Sequence, residues 1–103
     1  MAAKPIIPKT MIIGIGETVL DIVFKCGQPK SAVPGGSTFN SMISLGRTVG
    51  RLYPEVPIVM VTQIGKDMVG DISLSFMRDN HVSTRSVGCL EGIQSTVPIA
   101  MLD

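Results

Sequence analysis

Two runs of branched aliphatic residues, Met11 to Ile15 (MIIGI) and Ile58 to Gly65 (IVMVTQIG), do most to limit what this chain can become. Each leads into an Ile-Gly pair, and each is short and almost continuously apolar. That pattern predicts strands buried on both faces, as in a parallel sheet covered by helices. Between and after them the apolar spacing changes to the helical period. Phe39, Met42, Ile43, Leu45 and Val49 lie mostly along one stripe, and Val69, Ile72, Phe76 and Met77 lie along another. Strands alternating with helices place the chain in the α/β class with a parallel sheet. The composition agrees: 45% of residues are hydrophobic and only 4% aromatic, which is an aliphatic core rather than a disordered segment.

The remaining elements follow from turn chemistry. Thr18 to Phe24 (TVLDIVF) reads as a strand, with Val19, Asp21 and Val23 on one face and Leu20, Ile22 and Phe24 on the other. Residues 25–36, with two prolines and three glycines, read as a turn-rich connection. Ser37 or Thr38 is the expected cap of the first helix; Gly46 marks close packing, and Gly50 its end. Asp67 is the expected cap of the second helix, which runs to about Asn80. Short strands are expected near Ser86 to Cys89 and over Ser95 to Leu102, the latter at a sheet edge because Pro98 lies inside it. Two or three central strands with two helices leave a sheet edge open and apolar surface uncovered, so a longer parent protein or an obligate partner is expected.

With 103 residues the chain suits one domain: residues 1–10 as a loose end and residues 11–103 as the folded part. A net charge of +1 without a basic cluster excludes nucleic acid and acidic membranes as expected partners. The start MAAKPIIPKT lacks the apolar core of a signal peptide, and no run reaches the length of a membrane span. A cytoplasmic location is the expectation. Cys26 and Cys89 have no metal-type spacing and read as free thiols, and the single histidine, His81, reads as structural. No metal site is expected.

Two nucleotide-like matches fail. GIGETV, Gly14 to Val19, has Val19 where a dinucleotide fingerprint needs its third glycine, and strand rather than helix follows. IGKD, Ile64 to Asp67, has Met60 where a phosphate loop needs its first glycine, and Asp67 replaces the hydroxyl residue.

Three features remain. Asp21 is a carboxylate within an apolar strand. It suits either an exposed strand edge or a site that accepts hydrogen bonds from ligand hydroxyls. Gly35 and Gly36 stand just before a helix, with Asn40 one turn inside it. Bare backbone there lets N–H groups approach a ligand, while the same residues also suit a plain turn. Gly65, Asp67 and Gly70 read as a structural turn and cap.

In order and spacing these segments resemble the amino-terminal part of the PfkB, or ribokinase-like, carbohydrate kinases. IIGIGETVLDIV is similar to the family's opening strand with its Gly-Glu and following Asp. PGGSTFNSMISLGR resembles its Gly-Gly-x-x-x-Asn helix start, and IGKDMVGDISLSFMRDNHVSTRSV its Gly-x-Asp-x-x-Gly helix. STVPIAMLD resembles its Thr-containing strand. The resemblance implies a partial ribokinase-like α/β sheet plus strands of a small β lid. It implies a parent enzyme that transfers the γ-phosphate of ATP, with Mg²⁺, to a hydroxymethyl group of a sugar or nucleoside. Asp21, Gly35, Gly36 and Asn40 would then bind substrate, and lid strands would pair two subunits. The family's catalytic aspartate, in Gly-Ala-Gly-Asp, is expected beyond Asp103, so neither catalysis nor a bound cofactor is expected of this chain alone. A non-catalytic module that self-associates through open sheet edges is the alternative.

Overall fold

The structure is a computed structural model and describes residues 10–103. Except for Thr10, the loose segment expected at the amino terminus lies outside the described residues. Two three-stranded sheets carry the fold. The first is parallel, in the order β1 (Ile12–Ile15), β4 (Ile58–Gly65), β5 (Val87–Leu90). The second has β2 (Val19–Lys25) at its centre, antiparallel to β3 (Gln28–Gly35) and parallel to β6 (Ile99–Leu102). Helix α1 (Ser37–Leu45) joins β3 to β4, and α2 (Met68–Asp79) joins β4 to β5.

The core lies between the parallel sheet and the two helices. Phe39, Met42 and Ile43 of α1, Ile58 and Met60 of β4, Met77 of α2 and Val82 form one buried cluster. Phe39 is fully buried and stacks on Phe76, with ring centroids 6.0 Å apart. Helix α1 continues without a break into a π-helical turn, Gly46–Gly50. A side chain at Gly46 would strike the Asn80 carbonyl, so this glycine is where the two helix ends meet, as its position in the sequence suggested.

Four expectations are corrected. Residues 28–35 are a strand, not a loose connection. Cys26 and Gly27, both with positive φ (51° and 73°), form a two-residue turn between paired residues Lys25 and Gln28. Pro29 and Pro34 fit because β3 is an edge strand, and the register shift between Val23 and Phe24 leaves Lys30 as the extra residue. Second, β1 is not buried on both faces. It is the edge of its sheet, and Ile13 and Ile15 are 55% and 74% exposed. Third, the N-cap of α1 is Gly36 rather than Ser37 or Thr38. Fourth, Ile72 is exposed, and Ser73 takes the inward position with Gly70 and Met77. The carbonyl of Gly65 passes so close to Gly70 that even a methyl group there would collide. The inward arc of α2 is therefore set by small residues, and Ile72 turns to a side groove shared with Met68 and Phe76.

Candidate functional site

The carboxyl end of β4 and the β3–α1 junction each turn a strand into a helix through glycine, with different results. At β4 the chain leaves Gly65, and Asp67 caps α2 by accepting from the Gly70 N–H at 2.8 Å. The same carboxylate accepts from the Ser95 N–H at 2.9 Å and the Ser95 hydroxyl at 2.8 Å. Ser95 Oγ in turn accepts from the Gly65 N–H at 3.0 Å. These donors hold the Asp67 carboxyl below the usual aspartate value of 3.8. The Ser95 backbone N–H has the largest effect, then the Gly70 N–H and the Ser95 hydroxyl, against a smaller opposing effect of burial.

At β3 the chain leaves Gly35 for Gly36, whose φ of 114° only glycine adopts freely. A side chain there would also strike the Glu17 carbonyl. No side chain caps α1. Its first intrahelical bond runs from the Asn40 N–H to the Gly36 carbonyl, 2.8 Å, so the N–H groups of Ser37, Thr38 and Phe39 have no intrahelical acceptor. The Asp21 carboxylate leans over Gly35 and fills the space that a methyl group at that glycine would take. This follows from register: Val19 pairs with Gly35 and Asp21 with Val33, so Asp21 reaches Gly35 diagonally.

Asp21, Gly35 and Gly36 thus share one corner, where the centre of the second sheet meets the start of α1, and Asn40 joins it through its backbone N–H on the Gly36 carbonyl. Asp21 and Asn40 are both exposed, so the strand carboxylate is not a buried charge. Hollows of about 550 Å³ beside Arg78 and His81, and about 570 Å³ beside Ile15 and Gln63, are lined by none of these four residues. The corner is open surface rather than a closed pocket. Gly65, Asp67 and Gly70 form a separate, internally satisfied corner. Its partner Ser95 is expected from the sequence only as the first residue of a strand over Ser95 to Leu102; that strand begins at Ile99, and Ser95 lies in the segment before it. Cys26 and Cys89 are free thiols, and both are exposed.

No family model matches the sequence, and no curated protein matches it. Solved structures do match the fold. Aminoimidazole riboside kinase from Salmonella enterica, complexed with aminoimidazole riboside and an ATP analog, superposes with a TM-score of 0.75 at 20% identity over 87% of this chain. Fructokinase from Vibrio cholerae, in its fructose-, ADP- and calcium-bound form, gives 0.75 at 17% identity over 87%. Fructokinase from Xylella fastidiosa with bound ATP gives 0.73 at 20% over 90%. The chain spans 28%, 27% and 30% of those proteins' lengths, respectively. The fold is therefore part of the ribokinase-like α/β fold found in these sugar kinases. No helix of the described residues is long and apolar enough to cross a membrane.

Proposed function

We propose that residues 11–103 are the sugar-side portion of an ATP-dependent carbohydrate kinase of the PfkB type, supplying part of the pocket for a sugar or nucleoside. The observation that supports this most is the placement of the Asp21 carboxylate against Gly35 beside the uncapped start of α1. A polyhydroxylated guest needs acceptors for its O–H groups and donors for its oxygens. Asp21 accepts, the free N–H groups of the helix start donate, and the Asn40 amide does both. Asp21, Gly35, Gly36 and Asn40 are the substrate-binding residues of this reading. The β2–β3–β6 sheet is its lid, and the exposed Ile99, Met101 and Leu102 of edge strand β6 are the surface through which two lids pair in a homodimer.

Mg²⁺ and ATP belong to the parent enzyme in this reading. Among the described residues no group of three or more His, Cys, Asp or Glu could hold a metal ion, and the sequence has no complete phosphate loop. No phosphoryl-transfer step is assigned to this chain. The isolated chain should consume no ATP with any sugar offered; steady turnover would overturn the assignment. Calorimetric titration with pentoses, hexoses and ribonucleosides should give weak binding, on the order of millimolar, that Asp21→Ala and Asn40→Ala each weaken.

Exposed Ile13 and Ile15 on the parallel sheet, together with β6, favour one second reading: a non-catalytic module that associates through sheet edges. It expects both substitutions to be silent for ligands, and Ile13→Ser or Ile99→Ser to change the association state instead.

A further inference from the structure

Two segments run directly between strands of the two sheets: residues 16–18, from β1 to β2, where the Thr18 hydroxyl donates to that of Thr62 at 3.0 Å, and the segment that leaves β5 at Leu90 and enters β6 at Ile99, which is fastened at Ser95. Asp67 binds both polar groups of Ser95, while Ser95 Oγ binds the Gly65 N–H. One residue later the Thr96 carbonyl accepts from the Leu20 N–H at 3.0 Å, and the Pro98 carbonyl accepts from the Ile22 N–H at 3.0 Å. Leu20 and Ile22 flank Asp21. Hydrogen bonds at Ser95 and then at Thr96 and Pro98, linked by the backbone between them, therefore connect the start of α2 to the two residues on either side of the carboxylate. The fastening needs a glycine at 65, because a side chain there would strike the Ile93 carbonyl and crowd the Ser95 N–H.

We infer that Asp67 is a positioning residue as well as a helix cap: through Ser95 it sets where the β2–β3–β6 sheet, and with it Asp21, stands relative to the parallel sheet. A cap needs one acceptor, for the Gly70 N–H. The second oxygen of Asp67 and the hydroxyl of Ser95 add nothing to the cap, yet both are engaged. A serine at 67 separates the two roles. It caps a helix about as well as aspartate, but one short hydroxyl cannot also hold both groups of Ser95. That Asp21 is the group positioned for a substrate rests on the proposed function; the coupling between Asp67 and the second sheet does not.

Amide hydrogen exchange on the 103-residue chain tests the coupling. Asp67→Ser should speed exchange at Leu20 and Ile22 by about tenfold or more, while the α2 and β4 amides other than Gly65, whose N–H bonds Ser95 Oγ, keep their rates. Ser95→Ala, which keeps the N–H but loses the hydroxyl, should give a smaller change at the same two amides, and Ser95→Thr should restore the native rates. Unchanged rates at Leu20 and Ile22 in both Asp67→Ser and Ser95→Ala overturn the inference, as does an equal rise at all amides. If Asp67→Ser fails to fold, the Ser95→Ala and Ser95→Thr pair decides alone. Sugar binding is not read in this experiment, so absence of a ligand would count against the proposed function and leave this result standing.

Discussion

The starts of the two helices solve one problem in opposite ways. Each follows a strand through glycine, and each presents backbone N–H groups that the helix cannot satisfy. At α2 the chain supplies its own anion: Asp67 caps the helix, and its remaining acceptor capacity is taken up by Ser95. At α1 the cap is Gly36, with no side chain at all, and the nearby carboxylate of Asp21 stands over Gly35 without capping the helix. One corner is closed by the protein, and the other leaves donors and an acceptor side by side. A strand-to-helix turn alone therefore says little about binding; what distinguishes a site is which partners the chain withholds.

Substitutions can break this comparison. The largest effect is expected at Gly36. Alanine there must adopt a φ of 114° and meet the Glu17 carbonyl, which should cost about 2–4 kcal/mol in denaturant unfolding. Next is Asp21→Ala, which should weaken sugar binding by about 10–100-fold, the range for a hydrogen bond to a charged group, with little change in melting temperature because the side chain is exposed. Gly35→Ala should separate the two properties of the same turn. Its methyl group meets only the movable end of Asp21, so stability should fall by about 1 kcal/mol or less, while binding weakens because the carboxylate is displaced.

The smallest effect concerns pH. The folded Asp67 carboxyl titrates below its ordinary value of 3.8, so its contribution is fully present above that value. It is lost as pH falls through the lower folded value. Acid unfolding of Asp67→Asn, followed by circular dichroism, should lack this part of the pH dependence, whereas Asp21→Asn should retain it.

Much of this arrangement was legible in the sequence, and the exceptions share a cause. Both helices, the central strand and the Asp67 cap follow from local signals: a 3.6-residue stripe, a branched run and a capping residue. Strand β3 was hidden because Pro29 and Pro34 argue against a strand, and only its edge position makes them acceptable. The exposure of Ile13 and Ile15 depends on what lies beside β1, which a strand's own residues do not state. The same holds for Ser73 replacing Ile72, decided by how close α2 comes to Gly65. Grouping Asp21 with Gly35, Gly36 and Asn40 came from resemblance, and the hairpin register explains why Asp21 meets Gly35. The Asp67–Ser95 pairing spans 28 residues and has no local signature.

The central claim is that the open corner receives a polyhydroxylated guest while the closed one does not. Amide chemical-shift mapping during titration with ribose, fructose and a ribonucleoside tests it most directly. The account predicts shifts concentrated at Ser37, Thr38, Phe39 and Asn40 and around Asp21, none at Met68 to Gly70, and loss of the response in Asp21→Ala. Saturable shifts that leave Ser37 to Asn40 untouched, or that survive Asp21→Ala unchanged, would contradict it.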